Sequence, residues 1–309
     1  VTTLLPPIED MPSAGRGPAP EGGEVQISAS GWRLALRSFL ENRLALVSLL
    51  VLVAAFLFCF LGPHLYHTNQ INSNVLNVDL KPGKGRPLGT DDYGYDELGR
   101  IMKGGQASLK IGFFSAAIAT VIGTLYGAVA GLLGGLVDGA LMRFVDVLLS
   151  IPFLFIILIL ATRYNATVLS LSIILGIFSW LVPARLVRGE VLTLRTRDFV
   201  SASTVMGGTR SRLVLRHLIP NALSVVIVNI TFQVADSILA LAYLGFLGFG
   251  LHSPQVDWGS MLGNGDTDLA NGYWWLVYPV GVALILVVMA VNLIGDALRD
   301  TFDVRLRRR

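Results

Sequence analysis

The chain has 309 residues, 53% of them hydrophobic and only 15% charged, with a formal net charge of +3 and a mean hydropathy of +0.64. Soluble domains carry about a quarter charged residues, so this composition belongs to a chain that spends most of its length in lipid. The single cysteine, Cys59, excludes an internal disulfide and a cysteine metal cluster, and no basic stripe with interleaved aromatics suits a nucleic acid.

Residues 1–30 are rich in Pro, Gly and Ser and lack the basic start and apolar run of a signal peptide. They read as a disordered tail. From 31 to 43, Trp32, Leu36, Phe39 and Leu40 recur at helical spacing with Arg33 and Arg37 beside them, the pattern of an interfacial helix lying on the bilayer. Leu44 to Leu61 is uncharged and long enough to cross a core of about 30 Å. Residues 63–107 form a polar segment with turn chemistry and local charge pairs, which favours an ordered loop. Five further spans are expected, at about Ile111–Leu136, Val145–Thr162, Thr167–Val187, Ala222–Gly250 and Trp274–Ile294. On the second, Gly123, Gly127, Gly131, Gly134 and Gly135 sit mostly four apart, a face suited to close helix packing. The expectation is an all-α membrane protein of six transmembrane helices, with residues 44–309 forming one domain.

Orientation follows from Lys and Arg. With the amino-terminal tail inside, the inner segments hold Arg33, Arg37 and Arg43, then Arg143, then Arg185 to Arg216, then Arg299 to Arg309. The outer loop 63–107 balances its bases with Asp79, Asp91, Asp92, Asp96 and Glu97, and the last outer loop has Asp257, Asp266 and Asp268 with no base. Both termini are therefore expected in the cytoplasm, and so is the charged interruption within 190–221.

That interruption has internal order. Phe199, Ala202, Val205 and Met206 share one helical face, Gly207 and Gly208 break the helix, a short segment around Leu213 and Val214 follows among Arg210, Arg212 and Arg216, and His217, Pro220 and Asn221 close it. The pattern is helix, glycine corner, helix, proline stop. It resembles the EAA loop of ABC importer permeases, with Ser201-Ala202-Ser203 in the Glu-Ala-Ala place, Gly207 at the family's glycine and Ile219-Pro220 at its closing Leu-Pro. Ser201 departs from the family's Glu. The resemblance implies that this loop, with Gly208, Arg210, His217 and Asn221, docks on a separate ATPase subunit.

Two more stretches carry the resemblance further. Pro87-Leu88-Gly89-Thr90-Asp91, then Gly94, Asp96, Leu98, Arg100 and Gly104, is similar to the LGTDxxGRDxxSRxxxG pattern of the dipeptide, oligopeptide and nickel permease family, with Tyr95 in place of its Arg. Leu244 to Gly250, then Pro254, Trp258-Gly259 and Met261-Leu262, is similar to that family's FLGLGxxPPxPxWGxML signature. Asn42 to Ala45, Gly134-Gly135 through Asp138, Met142-Arg143 and Asp146 add weaker matches. The match is to the C-type subunit.

It implies a type I ABC importer permease fold in a bacterial cytoplasmic membrane. It also implies a homologous B-type permease partner, two P-loop ATPase subunits or domains that bind the ATP and Mg, and an extracytoplasmic peptide-binding protein. That protein would dock near Gly89, Thr90, Asp91, Asp96 and Arg100. No cofactor, metal or catalytic group is expected on this chain itself, and no phosphate-binding G-x-x-x-x-G-K-[ST] motif occurs in it.

Asp236 is the one acid deep in a predicted span, where a carboxylate is costly. Two readings stand side by side: lining of a translocation path, or a structural hydrogen bond. Arg143 and Asp146, three apart, suggest a helix-surface ion pair. A channel or secondary transporter using Asp236 as a coupling site is the alternative class, and it leaves the glycine-cornered loop unexplained. An intramembrane enzyme using His217 and Asp236 is disfavoured by their different depths. Dipeptide, oligopeptide and nickel are not separated by these motifs.

Overall fold

The structure, a computed structural model, describes residues 39–207 and 209–307, with the backbone alone at 204 and 303–307. The tail at 1–30, residues 31–38 of the expected interfacial helix, and Gly208 lie outside these residues. Among the described residues there is no β-sheet, only isolated bridges between Gly83 and Arg86 and between Thr90 and Asp96.

Helix α1 is Arg43–Leu65. Asn42 caps it, its side-chain oxygen accepting from Leu44 N at 3.0 Å and Ala45 N at 3.2 Å. Little of α1 is buried within the chain, as expected of a helix facing lipid on most sides. Helix α2, Glu97–Leu133, is the central element and packs on α1 and on most of the helices that follow. It starts at Glu97 rather than near Ile111, so residues 97–107 at the end of the expected outer loop are helical. Asp96 provides the reason: its Oδ1 accepts from Gly99 N at 2.9 Å and sets a helix start that hydropathy alone does not mark.

The third and fourth spans are bent pairs. α3 (Gly135–Ser150) and α4 (Phe153–Arg163) meet at 76°, and α5 (Val168–Ser179) and α6 (Leu181–Leu194) at 43°. Pro152 at the first break cannot donate a helical hydrogen bond and forces the preceding residue out of α geometry. Among the described residues, four helices are long and apolar enough to cross a membrane, and up to six spans result if each bent pair is one span. An elbow at residues 198–221 follows, then α8 (Leu223–Phe246), α9 (Trp258–Leu269) and α10 (Tyr278–Arg307). Helix α7, Asp198–Val205, belongs to the elbow.

Gly123, Gly127 and Gly131 pack as their spacing predicts, whereas Gly134 and Gly135, with φ +63° and +55°, lie past the end of α2 and turn the chain into α3. A Cβ on Gly123 would lie 2.8 Å from Trp180 O, and one on Gly127 2.3 Å from Ala184 O. Bare backbone at these positions lets α2 and α6 touch. Asp146 pairs with Arg185, not with Arg143. The expected pair within one helix is replaced by one between α3 and α6, because those helices lie side by side.

Candidate functional site

The chain presents two built regions at opposite ends of the bundle. The first is the elbow, residues 198–221. Helix α7 runs to Val205, and Gly207 turns the chain with φ +79°. A Cβ there would meet nothing within 4 Å, so glycine is needed for backbone angle and not for space. Thr209 caps the next turn, its Oγ1 accepting from Arg212 N at 3.4 Å.

The chain then passes through Arg210–Arg212, a π-helix at Leu213–Leu218, and Ile219–Asn221. Pro220 therefore does not stop the helix. The Ile219 N–H reaches back to Val214 O, five residues away, and this wide turn leads into a fresh first turn where proline's missing N–H costs nothing. Asn221 Nδ2 donates to His217 O at 2.6 Å.

The elbow is anchored on one side and open on the other. Val200, Leu213, Val214 and Leu218 are buried in a cluster with Ala128 of α2 and Val187 and Val191 of α6. Ser203 is buried with them, while Ser201, Ala202, Arg210, Pro220 and Asn221 are exposed and His217 is half-buried. Outward stand Val205, 88% exposed, Met206, 81%, and Leu215, 61%. These large apolar side chains stand exposed among Arg210, Arg212 and Arg216.

Two further contacts brace the base of the elbow. Arg188 of α6 grips Asp138 of α3, and Arg195 Nη1 donates to Gly131 O at 3.1 Å at the end of α2. Neither was legible beforehand, since each joins residues far apart in sequence.

The second region is the loop that precedes α2, expected to lie outside, with the segment 245–260. Thr90 Oγ1 donates to Asn77 O and accepts from Leu80 N at 2.9 Å. Asp91 Oδ1 accepts from Tyr93 N at 3.1 Å and Tyr95 N at 2.8 Å, and its Oδ2 from Arg100 Nε at 3.2 Å. Arg100 also donates to Pro254 O at 2.9 Å and lies over the Tyr95 ring. Asp96 Oδ2 accepts from Tyr66 OH at 2.9 Å, and burial together with that carboxylate pushes the Tyr66 hydroxyl up to about 12.

Gly89 has φ +71°, and a Cβ there would lie 2.3 Å from Leu80 O. Gly89, Thr90, Asp96 and Arg100 are buried and Asp91 is nearly so. These five residues form the internal frame of the loop. Ile71, Val75 and Leu76 are among its exposed apolar side chains.

The frame extends through a residue that motif reading left without a role. Asp257 is fully buried; its Oδ2 accepts from Leu251 N at 2.8 Å and its Oδ1 from Ser260 N at 3.0 Å. It caps α9, a helix hydropathy did not reveal, although the Asp-x-x-Ser spacing of a capping box was available. Burial raises its carboxyl above the ordinary range, against the pull of the backbone N–H groups it accepts from. A Cβ on Gly245 or Gly250 would come within 2.4 Å of its two oxygens, which explains two of the glycines in that run. Trp258 Nε1 donates to Ile101 O at 3.0 Å and locks α9 to α2.

Asp236 is exposed on α8, beside a hollow of about 530 Å³ lined also by Phe153, Leu154, Ile157 and Tyr243. Among the described residues, none donates a hydrogen bond to its carboxylate. Among the described residues no group of three or more His, Cys, Asp or Glu is placed to hold a metal ion.

Residues 123–308 match the family model described as the binding-protein-dependent transport system inner membrane component. Residues 30–82 match that of the N-terminal TM domain of oligopeptide transport permease C. The chain belongs to this permease family, and within it to the OppC/DppC type. It is 38% identical to the oligopeptide transport system permease protein OppC of Escherichia coli K12, over 89% of this chain and 92% of that one. It is 34% identical to OppC of Bacillus subtilis 168, over 91% and 92%, and 32% identical to the dipeptide transport system permease protein DppC of that organism, over 89% and 86%.

A chain of the MetNI methionine ABC transporter, solved in inward-facing conformations, superposes with a TM-score of 0.52 at 21% identity, covering 65% of this chain and 96% of that one. The fold is thus the ABC importer permease fold. As an inner-membrane permease component, the chain is not itself catalytic.

Proposed function

We propose that this permease forms half of the translocation path of an importer for di- and oligopeptides. It completes that path with a homologous B-type subunit, is driven by two P-loop ATPase subunits, and receives substrate from an extracytoplasmic binding protein. Its similarity to oligopeptide and dipeptide transport permeases favours peptides over nickel. Both termini and the elbow face the cytoplasm, as the arginine distribution supports.

The observation that carries the coupling reading is the two-sided elbow. Val200, Leu213 and Leu218 fasten it to α2 and α6, while Val205, Met206 and Leu215 are presented outward. Closure of the ATPase pair pushes on that apolar patch. A packed element transmits the push as a discrete shift because its anchored face does not deform continuously. Helix α8 leaves the elbow directly and carries Asp236, which lines the path beside Phe153 and Tyr243. The buried frame of Asp91, Asp96 and Arg100 acts from behind, holding the exposed loop surface in the shape on which the binding protein docks.

The test is Met206→Asp in the complete transporter. Loss of ATPase-subunit co-purification, with normal membrane insertion and normal B-type pairing, supports docking at the elbow. Full co-purification with unchanged peptide uptake overturns it.

A further inference from the structure

We infer that the chain carries a site for one anionic phospholipid, its acyl chain in a groove between α1, α2, α8 and α10 and its phosphate at Lys110. The inference uses the membrane-spanning fold and not the peptide or coupling readings. The groove encloses about 360 Å³ and is lined almost wholly by apolar side chains, among them Phe56 and Phe60 of α1, Phe113 of α2, Val234 of α8 and Val291 of α10. Lys110 is the one charged residue lining it.

Lys110 lies at its end. The same lysine lines a second, more polar hollow of about 540 Å³ together with Lys103, Gln106, Tyr66 and Thr68. An apolar trough therefore opens, through one lysine, into a polar vestibule.

Depth fits a lipid. After Lys110 the helix runs uncharged from Ile111 to Leu133, enough to cross a core of about 30 Å. Lys110 is the last charge before the hydrocarbon, at the level where phosphates sit. The opposite wall agrees: Phe60 comes just before Gly62-Pro63-His64, where α1 turns polar.

Charge selects the headgroup. Among the described residues no carboxylate lies within ion-pair distance of Lys110, whose Nζ stands 5.6 Å over the Phe60 ring. Lys103, two helical turns away on the same face of α2, adds a second positive charge and faces the same vestibule. A zwitterionic lipid would bring its own ammonium towards these two lysines. A phosphate bearing an uncharged alcohol matches them without repulsion.

The experiment delipidates the complete transporter in detergent, adds back phosphatidylglycerol or phosphatidylethanolamine, and counts retained lipid by native mass spectrometry. Wild type should retain phosphatidylglycerol preferentially. Lys110→Gln should retain about fivefold less, the weight of one basic side chain against an anionic headgroup, and Lys110→Arg should restore it. Val234→Trp, which fills the groove and leaves the charge, should also expel the lipid, and free glycerol phosphate should not compete.

Equal retention in wild type and both loss-of-binding variants overturns the site. So does displacement by glycerol phosphate alone, which would mean an anion vestibule without a lipid. Cross-linking of a Phe113→Cys variant to a helix of the partner permease subunit would assign the groove to protein and overturn it equally.

Discussion

Arg188 and Asp138 meet as a two-pronged pair, Nε to Oδ1 at 2.5 Å and Nη2 to Oδ2 at 2.6 Å. The fork joins the start of α3 to the helix that delivers the chain into the elbow. Asp138 is mostly buried at its side chain, so removing the arginine strands a carboxylate with little access to water.

Arg188→Ala is therefore expected to destabilise the permease by about 1–3 kcal/mol, the cost of an unsatisfied buried acceptor. Arg188→Lys should recover only part of this, since an ammonium cannot reproduce the planar fork. Thermal unfolding of the purified complex measures both, and equal melting of wild type and Arg188→Ala would remove the pair from any bracing role.

At the corner of the elbow, Gly207→Ala should cost about 1–2 kcal/mol, because φ there is positive and a Cβ opposes it. There is room for the methyl, so the defect is conformational. Gly207→Asn, which tolerates this region better, should be milder. The readout is uptake together with ATPase co-purification. If Ala and Asn behave alike and like wild type, the corner is not a constraint on coupling.

Gly250→Ala should be worse than either. Its Cβ would lie 2.4 Å from Asp257 Oδ2 and 2.7 Å from the Gly245 backbone, and a carboxylate held by Leu251 N and Ser260 N has nowhere to go. Overpacking of this kind costs about 1–3 kcal/mol. Protease accessibility of the 245–260 segment in intact vesicles should rise. A wild-type digestion pattern would contradict the packing.

The outer loop should respond to pH. The Asp92 carboxyl is pushed up to about 6, first by burial and then by the carboxylates of Asp91, Asp268 and Asp79. The folded loop therefore holds a proton that the unfolded chain releases at ordinary carboxylate pH. Stability from this group is complete below that range, falls as pH rises through about 6, and is flat above. Hydrogen exchange of residues 79–97, corrected for intrinsic rates, should show more opening on the high side. Asp92→Asn should abolish the step, and a step that survives that substitution belongs to another group.

Asp236→Asn tests the proposed path. A carboxylate that meets a peptide ammonium contributes about 1.5–3 kcal/mol as a charged hydrogen bond, so uptake should fall about tenfold or more while assembly and basal ATPase activity hold. Unchanged uptake would leave Asp236 outside the path.

The amino-acid sequence by itself determined the helical membrane class, the glycine face of α2, the elbow with its turn at Gly207, and the family. Each of these is written in local periodicity, in backbone permissiveness or in short motifs. It did not determine that α2 begins at Glu97, that Pro220 continues a helix, that Asp146 chooses Arg185, or that Asp257 caps a hidden helix between two glycines. Those depend on which groups distant in the chain become neighbours. Nor could motifs show that Asp91, Asp96 and Arg100 look inward. Charge at a loop position is visible in sequence, but burial is decided only when Tyr95, Pro254 and the helices behind them close over it.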